Sequence, residues 1–288
     1  MSGRAAPLLV SSSVVCARPA GLRQPIRRAP WAMASVDIER DLSHGGHQRI
    51  AGLDEVGRGC WAGPVYAAVV VLPPECYADR ALLAEVTDSK LLTPTVRERL
   101  AADVLRLAVG AAVAWAEAPL IDRLNILGAT RWAMHAALEC LAGGAECTGA
   151  DAGADAGVLG GSARLAGGTV IPDFILTDAV SLDNLACPQR AIIGGDRKAL
   201  AIAAASIVAK VTRDADMRRR HALFPHLALA SNKGYGTRAH GRALYAGGLT
   251  PLHRRSFAPM KYLLGLNDHI AGALPLPVGA LPLPPGAR

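Results

Sequence analysis

The chain has 288 residues, of which 51% are hydrophobic, and its formal net charge is +7. No apolar run reaches the roughly 18 residues that a membrane-spanning helix needs, so the composition predicts a soluble protein, expected in the cytoplasm. The six cysteines are scattered and form no C-x-x-C motif, which argues against a zinc site and against a disulfide framework.

Positive charge is concentrated in two parts of the chain. Residues 1–36 contain five arginines and no acidic residue. Such a segment is typical of an organelle transit peptide, of translated sequence upstream of a true start at Met33, or of a disordered tail. Residues 197–255 hold twelve Lys and Arg against two Asp, a net of +10, which leaves the rest of the chain outside both parts at −8. This uneven distribution of charge favours an acidic site that faces a basic surface for binding a polyanion. The alternative is that the basic residues form a solvated helix face.

Segments with strand and helix patterns follow each other from Arg49 onward. A glycine-rich connection between the first two strands predicts a hairpin. Thr93 and Pro94 suit the N-cap and first position of the helix that they open, and Gly143-Gly144 suit the end of the next helix. In chain order, the predicted elements are strands over 49–56 and 64–72, a helix over 93–108, a strand over 111–118, a helix over 121–144, strands over 172–180 and 190–196, and a helix over 198–224.

Two further segments lack the pattern of packed elements. Residues 145–169 consist almost wholly of Gly, Ala and small polar residues, which bury little surface, so a flexible insertion is predicted there. Residues 271–288 are rich in proline and are predicted to form a disordered tail.

Three strand-like segments end in acidic residues, namely Asp54-Glu55, Asp178 and Asp196. In α/β sheets, functional groups gather where strand ends meet loops. Clustered carboxylates favour Mg²⁺ or Mn²⁺ over zinc, and two such ions about 4 Å apart hydrolyse phosphodiesters. Any one of these acids alone is more typical of a cap or a surface group, but the four together predict a metal-dependent phosphodiester site.

The acidic pair Asp54-Glu55 leads almost directly into Gly57-Arg58-Gly59. Glycine lets the backbone come close to a ligand, and the planar fork of arginine suits a phosphate. The stretch therefore predicts a phosphate cradle beside the acidic residues.

Seven motifs extend in order over residues 49–263: AGLDEVGRGCWAGPVYAAVVVL, TDSKLLTP, IDRLNILGAT, ILTDAV, GGDRKALAIAAASIVAKVTRD, NKGYGTRAHGRAL and GLTPLHRRSF. In these motifs the chain resembles the ribonuclease HII family, the type 2 ribonucleases H. The resemblance implies a catalytic domain over 49–263 with an α/β, ribonuclease H-like fold: a central mixed β-sheet flanked by helices, with a helical C-terminal part.

The activity that the resemblance implies is that of a monomeric endonuclease dependent on Mn²⁺ or Mg²⁺. Such an enzyme cleaves the RNA strand of RNA–DNA hybrids and single ribonucleotides embedded in duplex DNA. The cut falls on the 5′ side of the ribonucleotide and leaves 3′-hydroxyl and 5′-phosphate ends. No membrane partner is expected, and an organelle replaces the cytoplasm as the expected location if residues 1–36 are a transit peptide.

The resemblance also implies which residues form the active site. Asp54, Glu55 and Asp178 match the family's metal-binding acids, and Asp196 matches its fourth active-site carboxylate. Many relatives have Asp-Gly where this chain has Asp178-Ala179. Because alanine is small, the metal ligand is expected to survive this departure.

Four further residues match positions that the family uses for substrate specificity. Gly57, Arg58 and Gly59 match the motif that recognises the ribonucleotide, where backbone groups exposed by glycine hydrogen-bond the 2′-hydroxyl. Tyr235 matches the tyrosine that packs on the neighbouring deoxyribose.

Other polar residues have more than one interpretation. Lys90 is interpreted as a phosphate contact or a surface lysine, and Lys210 as a substrate contact or part of a closely packed helix. Asp88 is assigned to a turn or cap, and Asp122 and Asn125 are expected to cap the helix that begins near them.

Two other functions stay open. A related two-metal nuclease, such as a Holliday-junction resolvase, would use similar carboxylates but lack the recognition of the 2′-hydroxyl. A catalytically inactive nucleic-acid binding module would be marked by loss of an acid from the cluster, and all four acids are present.

Overall fold

The structure is a computed structural model that describes residues 33–144 and 159–265. Its strands are β1 Ile50–Val56, β2 Val65–Val71, β3 Gly110–Ala116, β4 Gly160–Gly167, β5 Phe174–Asp178 and β6 Gln189–Ile192. Its α-helices are α1 Asp37–His44, α2 Glu75–Ala78, α3 Pro94–Leu107, α4 Ala118–Leu141, α5 Leu200–Leu223, α6 Leu229–Asn232, α7 Arg238–Gly247 and α8 Ala258–Leu263.

The six strands form one mixed sheet in the order β4-β3-β2-β1-β5-β6. Strands β1 to β4 pair antiparallel in sequence, so the predicted hairpin of β1 and β2 is confirmed. Strands β5 and β6 run parallel to β1. The predicted central mixed sheet is therefore confirmed, and β1 lies in its middle with a partner of each direction.

Helices cover both faces of the sheet. Helices α3 and α5 pack on one face and α4 packs on the other, each over its own layer of apolar side chains. In β2, Ala68 and Val70 point to the α5 layer while Val69 and Val71 point to the α4 layer. The sequence of β2 is a continuous apolar run because both faces of this strand are buried.

The contact between α5 and the sheet is closest at Gly52 of β1. A Cβ atom on Gly52 would lie 2.1 Å from the backbone of Ala201, the second residue of α5. A side chain there is sterically excluded, so the glycine allows the helix to lie directly against the strand. The first turn of α5 is thereby fixed over the end of β1 that carries Asp54.

Helix α4 bends at Asn125, whose φ angle is 59°. The Asn125 side chain accepts hydrogen bonds from the N–H groups two and three residues later, so its predicted capping role is confirmed. The prediction for Asp122 is wrong. Its carboxylate accepts hydrogen bonds from the N–H groups of Arg255 and Ser256, and this contact ties the C-terminal segment to α4.

The boundaries predicted for the non-packed segments need two corrections. Residues 160–167, predicted to lie in a flexible insertion, form the edge strand β4. Their glycines suit this position, because Gly161 lies against the ring of Trp115 on β3, where a Cβ would come within 2.6 Å. Ala34 and Val36, assigned to the leader, are buried in the core. The remainder of the predicted leader, insertion and tail, at 1–32, 145–158 and 271–288, lies outside the described residues.

Helix α1, which the sequence patterns did not predict, is attached to α5 by Glu39. This carboxylate is fully buried and its Oε1 accepts a 2.8 Å hydrogen bond from the N–H of Ala201. Burial raises the pKa of Glu39 to about 7, against the opposing effect of hydrogen bonds from the backbone.

In residues 33–144 and 159–265, no helix combines the length and apolar character needed to cross a membrane.

Glu39 is expected to make stability depend on pH. Its folded-state pKa of about 7 lies above the ordinary value of 4.5, so the native state binds more protons than the unfolded state between these values. The resulting stabilisation is complete below pH 4.5 and is lost as the pH rises through 7. We expect Glu39→Gln to stabilise the protein at pH 8 by on the order of 2 kcal/mol and to leave it nearly unchanged at pH 4.5.

Thermal unfolding of both proteins between pH 4.5 and pH 8 measures this difference. The exposed Glu75 provides the control, since Glu75→Gln should leave the pH profile as it is. A Glu39→Gln profile parallel to that of the unsubstituted protein would contradict the prediction.

Candidate active site

Asp54 and Asp178 lie side by side at the ends of two paired strands. The parallel register joins Leu53 of β1 to Thr177 of β5, so the next residue on each strand is an aspartate. Neighbouring strands lie about 4.8 Å apart. The hydroxyl of Ser206 on α5 lies close enough to Asp54 to favour its charged form, which places this side chain on the α5 face of the sheet.

The Asp54 carboxylate is enclosed by protein. It is 5% exposed, its Oδ1 accepts a hydrogen bond from the Glu55 N–H at 2.8 Å, and Ser206 Oγ lies 3.0 Å from Ser89 Oγ. Burial, followed by the charges of Glu55 and Asp178, raises the pKa of Asp54 well above its usual range. The fold thus holds an acid here that would be stabilised by a nearby cation.

Glu55 extends from the same strand end toward Arg58. Arg58 Nη1 lies 3.4 Å from Glu55 Oε1. Burial raises the pKa of Glu55, and the Arg58 charge opposes that shift. The other oxygen, Oε2, is buried without a hydrogen-bond partner within the described parts of the chain, so Glu55 has one ligand oxygen that no protein group uses.

Asp196 lies in the 3-10 helix Gly195–Arg197 after β6. The Gly195 N–H donates a 2.9 Å hydrogen bond to Asp178 Oδ1, which connects this helix to the end of β5. Lys90 Nζ lies 3.6 Å from Asp196 Oδ2. Burial, followed by the charge of Asp88, raises the pKa of Asp196, while Lys90 opposes the shift. The two predicted acids Asp178 and Asp196 are thus brought together.

Asp88 belongs to the same acidic group, which its sequence context did not indicate. Its predicted cap is confirmed, because its carboxylate accepts a 2.9 Å hydrogen bond from the Lys90 N–H. It also lies close enough to Asp196 to raise the pKa of that carboxyl. The motif TDSK contains the residue, but only the tertiary structure places it beside an acid more than 100 positions later.

The two candidate lysines differ in their surroundings. Lys90 is exposed, and its pKa is raised because the lowering effect of burial is outweighed by Asp88 and Asp196. Lys210 on α5 forms a 2.7 Å ion pair with Asp214 in the next turn. Lys90 therefore faces the acidic group directly, while the ammonium of Lys210 already has a carboxylate partner.

The acidic residues do not form a finished ligand shell for one ion. In the described ranges 33–144 and 159–265, no three His, Cys, Asp or Glu side chains form a group that could hold a metal. The donor set nevertheless fits a hard divalent cation, because Asp54 is buried, the acids repel each other, and Glu55 Oε2 has no partner. Since Asp54 and Asp178 are on adjacent paired strands, rotation of side chains is the movement that would bring their oxygens onto one ion.

The GRG loop, Gly57, Arg58 and Gly59, follows β1 directly. Gly57 has a φ angle of +92°, and a Cβ there would lie 2.2 Å from Nε of the buried Arg213. At Gly59 a Cβ would meet no atom within 4 Å. The fold therefore requires glycine at 57, whereas the open space at 59 leaves the backbone free to approach a ligand.

Two buried arginines lie next to this loop, and one of them, Arg254, is hydrogen-bonded to it. Arg254 donates to the carbonyls of Gly57 and Arg58, each at 2.7 Å, and Arg213 donates to the carbonyls of Pro64 and Lys233 at 3.0 and 2.9 Å. Sequence reasoning assigned neither arginine to the site. Both lie in the basic region 197–255.

Tyr235 lies beside the GRG loop. The carbonyl of the preceding Gly234 accepts hydrogen bonds from the N–H groups of Trp61 and Ala62 at 2.8 and 3.2 Å. The Tyr235 hydroxyl lies near Cys60, the residue after the loop, and burial, followed by the charge of Cys60, raises the pKa of Tyr235 to about 12. The side chain is still 42% exposed, so its ring remains accessible next to the loop.

The departure at Ala179 has a structural consequence. Ala179 adopts a φ angle of 56°, in the left-handed region that glycine enters without steric strain. Its N–H donates to the Ile192 carbonyl at 3.1 Å, so the turn after Asp178 stays paired with β6. The structure therefore keeps Asp178 in position with alanine as the following residue.

Comparison with known proteins covers most of this chain. The profile of the family described as Ribonuclease HII matches residues 51–143 and 159–260. The ribonuclease HII of Chloroflexus aurantiacus is 44% identical over 228 residues, which cover 79% of this chain and 95% of that protein. The ribonuclease HII of Chloroflexus aggregans is 42% identical over 233 residues, covering 81% and 97%.

Solved structures show the same fold at lower sequence identity. The ribonuclease H2 from Pyrococcus horikoshii OT3 has a TM-score of 0.54 at 21% identity, covering 76% of this chain and 98% of its own. Bst-RNase HIII in complex with Mn²⁺ has a TM-score of 0.51 at 18% identity, covering 76% and 70%. The ribonuclease H-like fold implied by the motifs is thus confirmed. On the family profile and on relatives above 40% identity over nearly their whole length, this chain belongs to the ribonuclease HII family of endonucleases.

Proposed function

We propose that this protein cleaves the RNA strand of RNA–DNA hybrids and single ribonucleotides embedded in duplex DNA. The cut lies 5′ to the ribonucleotide and leaves 3′-hydroxyl and 5′-phosphate ends. The observation that carries the proposal is the placement of Asp54 and Asp178 on adjacent strand ends, directly before a loop whose Gly59 backbone faces open space. In this proposal, one substrate contacts the acidic group through its phosphate and the loop through its 2′-hydroxyl at the same time.

Asp54, Glu55 and Asp178 are proposed to hold Mn²⁺ or Mg²⁺, with Asp196 completing the group. Two divalent ions, when bound, supply activation of a water and stabilisation of the leaving oxygen. The complex of Bst-RNase HIII with Mn²⁺ supports the choice of a divalent ion. The buried, mutually repelling carboxylates provide the negative charge that such ions neutralise.

The protein's own groups supply recognition. The GRG loop is proposed to contact the 2′-hydroxyl through its backbone, and Arg58 to exchange its Glu55 partner for a substrate phosphate. Tyr235 presents an exposed ring for the deoxyribose that follows. Lys90, beside Asp196, is proposed to contact phosphate. Lys210 is proposed as a backbone contact that requires its ion pair with Asp214 to open.

The decisive experiment compares duplex DNA containing one ribonucleotide with the same duplex of deoxyribonucleotides only, in Mg²⁺, in Mn²⁺ and in chelator. We expect cleavage only of the ribonucleotide duplex and only with metal, with ends that a 5′-phosphate-dependent exonuclease accepts. Cleavage of both duplexes would identify a related two-metal nuclease instead. Salt-sensitive binding without turnover would identify a binding module.

A further inference from the structure

Two adjacent residues of the C-terminal segment are buried beneath the recognition elements. His253 is 2% and Arg254 0% exposed. The Arg254 guanidinium donates hydrogen bonds to Gly57 O and Arg58 O at 2.7 Å each, and through Nε to Gly63 O at 3.0 Å. One side chain thus holds the carbonyls at both ends of the turn that contains the GRG loop.

These bonds also determine the direction of the loop's N–H groups. In a trans peptide, C=O and N–H point to opposite sides. When Arg254 binds the carbonyls of Gly57 and Arg58, the N–H groups of Arg58 and Gly59 are turned away from it. A Cβ on Gly59 would meet no atom within 4 Å, so the loop has open space beside it for a group that these N–H groups could bind.

His253 connects to Tyr235 through a second histidine. His253 Nε2 lies 3.2 Å from His240 Nε2, and His240 Nδ1 lies 2.9 Å from the Tyr235 carbonyl oxygen. At the other end, the Thr250 N–H donates to His253 Nδ1 at 3.0 Å. The chain of hydrogen bonds runs from the segment that carries Arg254 to the backbone of the tyrosine.

The groups at each end determine the tautomers of both rings. The Thr250 N–H only donates, so His253 accepts at Nδ1 and carries its proton on Nε2. The Tyr235 carbonyl only accepts, so His240 carries its proton on Nδ1 and accepts at Nε2. The middle bond then runs from His253 to His240. Both rings are uncharged in this arrangement, in agreement with burial, which lowers the pKa of each and that of His253 to about 4.

We infer that His253 and Arg254 are positioning residues for ribonucleotide recognition, with Arg254 holding the GRG loop and His253 holding Tyr235 through His240. Because the two residues are adjacent, one short segment sets the spacing between the two contacts. The inference rests on the proposed function, in which the loop contacts the ribonucleotide and the tyrosine contacts the next sugar.

The test for His253 uses the selectivity ratio, defined as kcat/KM for one ribonucleotide in duplex DNA divided by kcat/KM for a uniform RNA–DNA hybrid. Asparagine at 253 keeps an acceptor for Thr250 but does not reach His240, whereas glutamine reaches the position of Nε2. We expect both His253→Asn and Tyr235→Ala to lower the ratio about tenfold, and His253→Gln to retain most of it. Combining His253→Asn with Tyr235→Ala should lower the ratio no further.

The test for Arg254 compares it with Arg106, an exposed arginine on α3 that lies outside the basic region. Lysine keeps the charge but cannot bind two carbonyls with a planar fork. We expect Arg254→Lys to lower kcat/KM about tenfold on both substrates, and Arg106→Lys to leave it unchanged. Equal effects of the two substitutions would mean that only charge matters and would overturn the role of Arg254.

The possible failures are separable. If Tyr235→Ala leaves the selectivity ratio unchanged, the proposed recognition by Tyr235 is wrong. The positioning role inferred for His253 is then wrong as well. If Tyr235→Ala lowers the ratio and His253→Asn does not, only the positioning role of His253 is overturned. Long-range ¹⁵N–¹H spectra of the histidines in the unsubstituted protein provide a test that needs no variant, because the inference requires Nε2–H on His253 and Nδ1–H on His240.

Discussion

Asp54→Asn is expected to lower the rate of cleavage of a ribonucleotide-containing duplex by at least about 10³-fold at equal Mg²⁺ concentration. The substitution removes the central charge of the acidic group while keeping its size and its hydrogen bond with the Glu55 N–H. Binding of the duplex should be nearly unaffected, because the GRG loop, Tyr235 and the basic C-terminal region remain.

The same substitution should also stabilise the protein at neutral pH. Burial and the neighbouring Glu55 raise the pKa of Asp54, so its charged form destabilises the folded state above its usual pKa. A thermal midpoint at least as high as that of the unsubstituted protein would show that inactivity is not unfolding. Single-turnover cleavage and duplex affinity measured on one preparation complete the test, and turnover near the original rate would refute the role of Asp54.

Gly57→Ala and Gly59→Ala are expected to fail in different ways although they lie two residues apart. At Gly57, a φ angle of +92° and a Cβ position 2.2 Å from Arg213 Nε should destabilise the fold by about 3 kcal/mol. At Gly59, a Cβ meets no protein atom within 4 Å, so stability should change little. The added methyl group would instead occupy the space proposed for substrate and lower kcat/KM about 10- to 100-fold.

Urea unfolding and steady-state kinetics on the two variants separate these effects. Gly168 serves as a control, since a Cβ there also meets nothing within 4 Å and the residue is remote in sequence from the loop. Normal activity of a folded Gly59→Ala protein would show that substrate does not approach the backbone at this position.

Local patterns predicted much of the fold. The apolar runs of β1 and β2, the glycine-rich turn between them and the Thr93-Pro94 helix start are encoded within a few residues each, and the structure has them. Strand β4 was not predicted, because its glycine- and alanine-rich sequence buries little by itself. It is stabilised as a strand by pairing with β3, a partner that lies some 50 positions earlier.

The site residues can also be divided into those with a local sequence signal and those without one. Asp54, Asp178 and Asp196 were identifiable because each ends a strand-like segment, and strand ends that share an edge of a sheet come together. Asp88, His253 and Arg254 carried no such signal. Asp88 lies beside an acid more than 100 positions later, Arg254 binds backbone carbonyls nearly 200 positions earlier, and His253 contacts another histidine 13 positions earlier. Contacts of this kind leave no periodicity in the sequence.

The sequence alone determined the family resemblance, the order of the main strands and helices apart from β4 and α1, and the identity of four acidic residues, because these depend on residue type and short-range spacing. Only the tertiary structure decided that Arg254 is bound to the GRG loop and that His253 is linked to Tyr235 through His240. It also decided that a Cβ is excluded at Gly57 but not at Gly59, and that Asp122 holds the C-terminal segment. The physical reason is that burial and hydrogen-bond geometry are properties of where distant segments meet. A polar side chain reveals its partner only after the sheet and helices have brought that partner within about 3 Å.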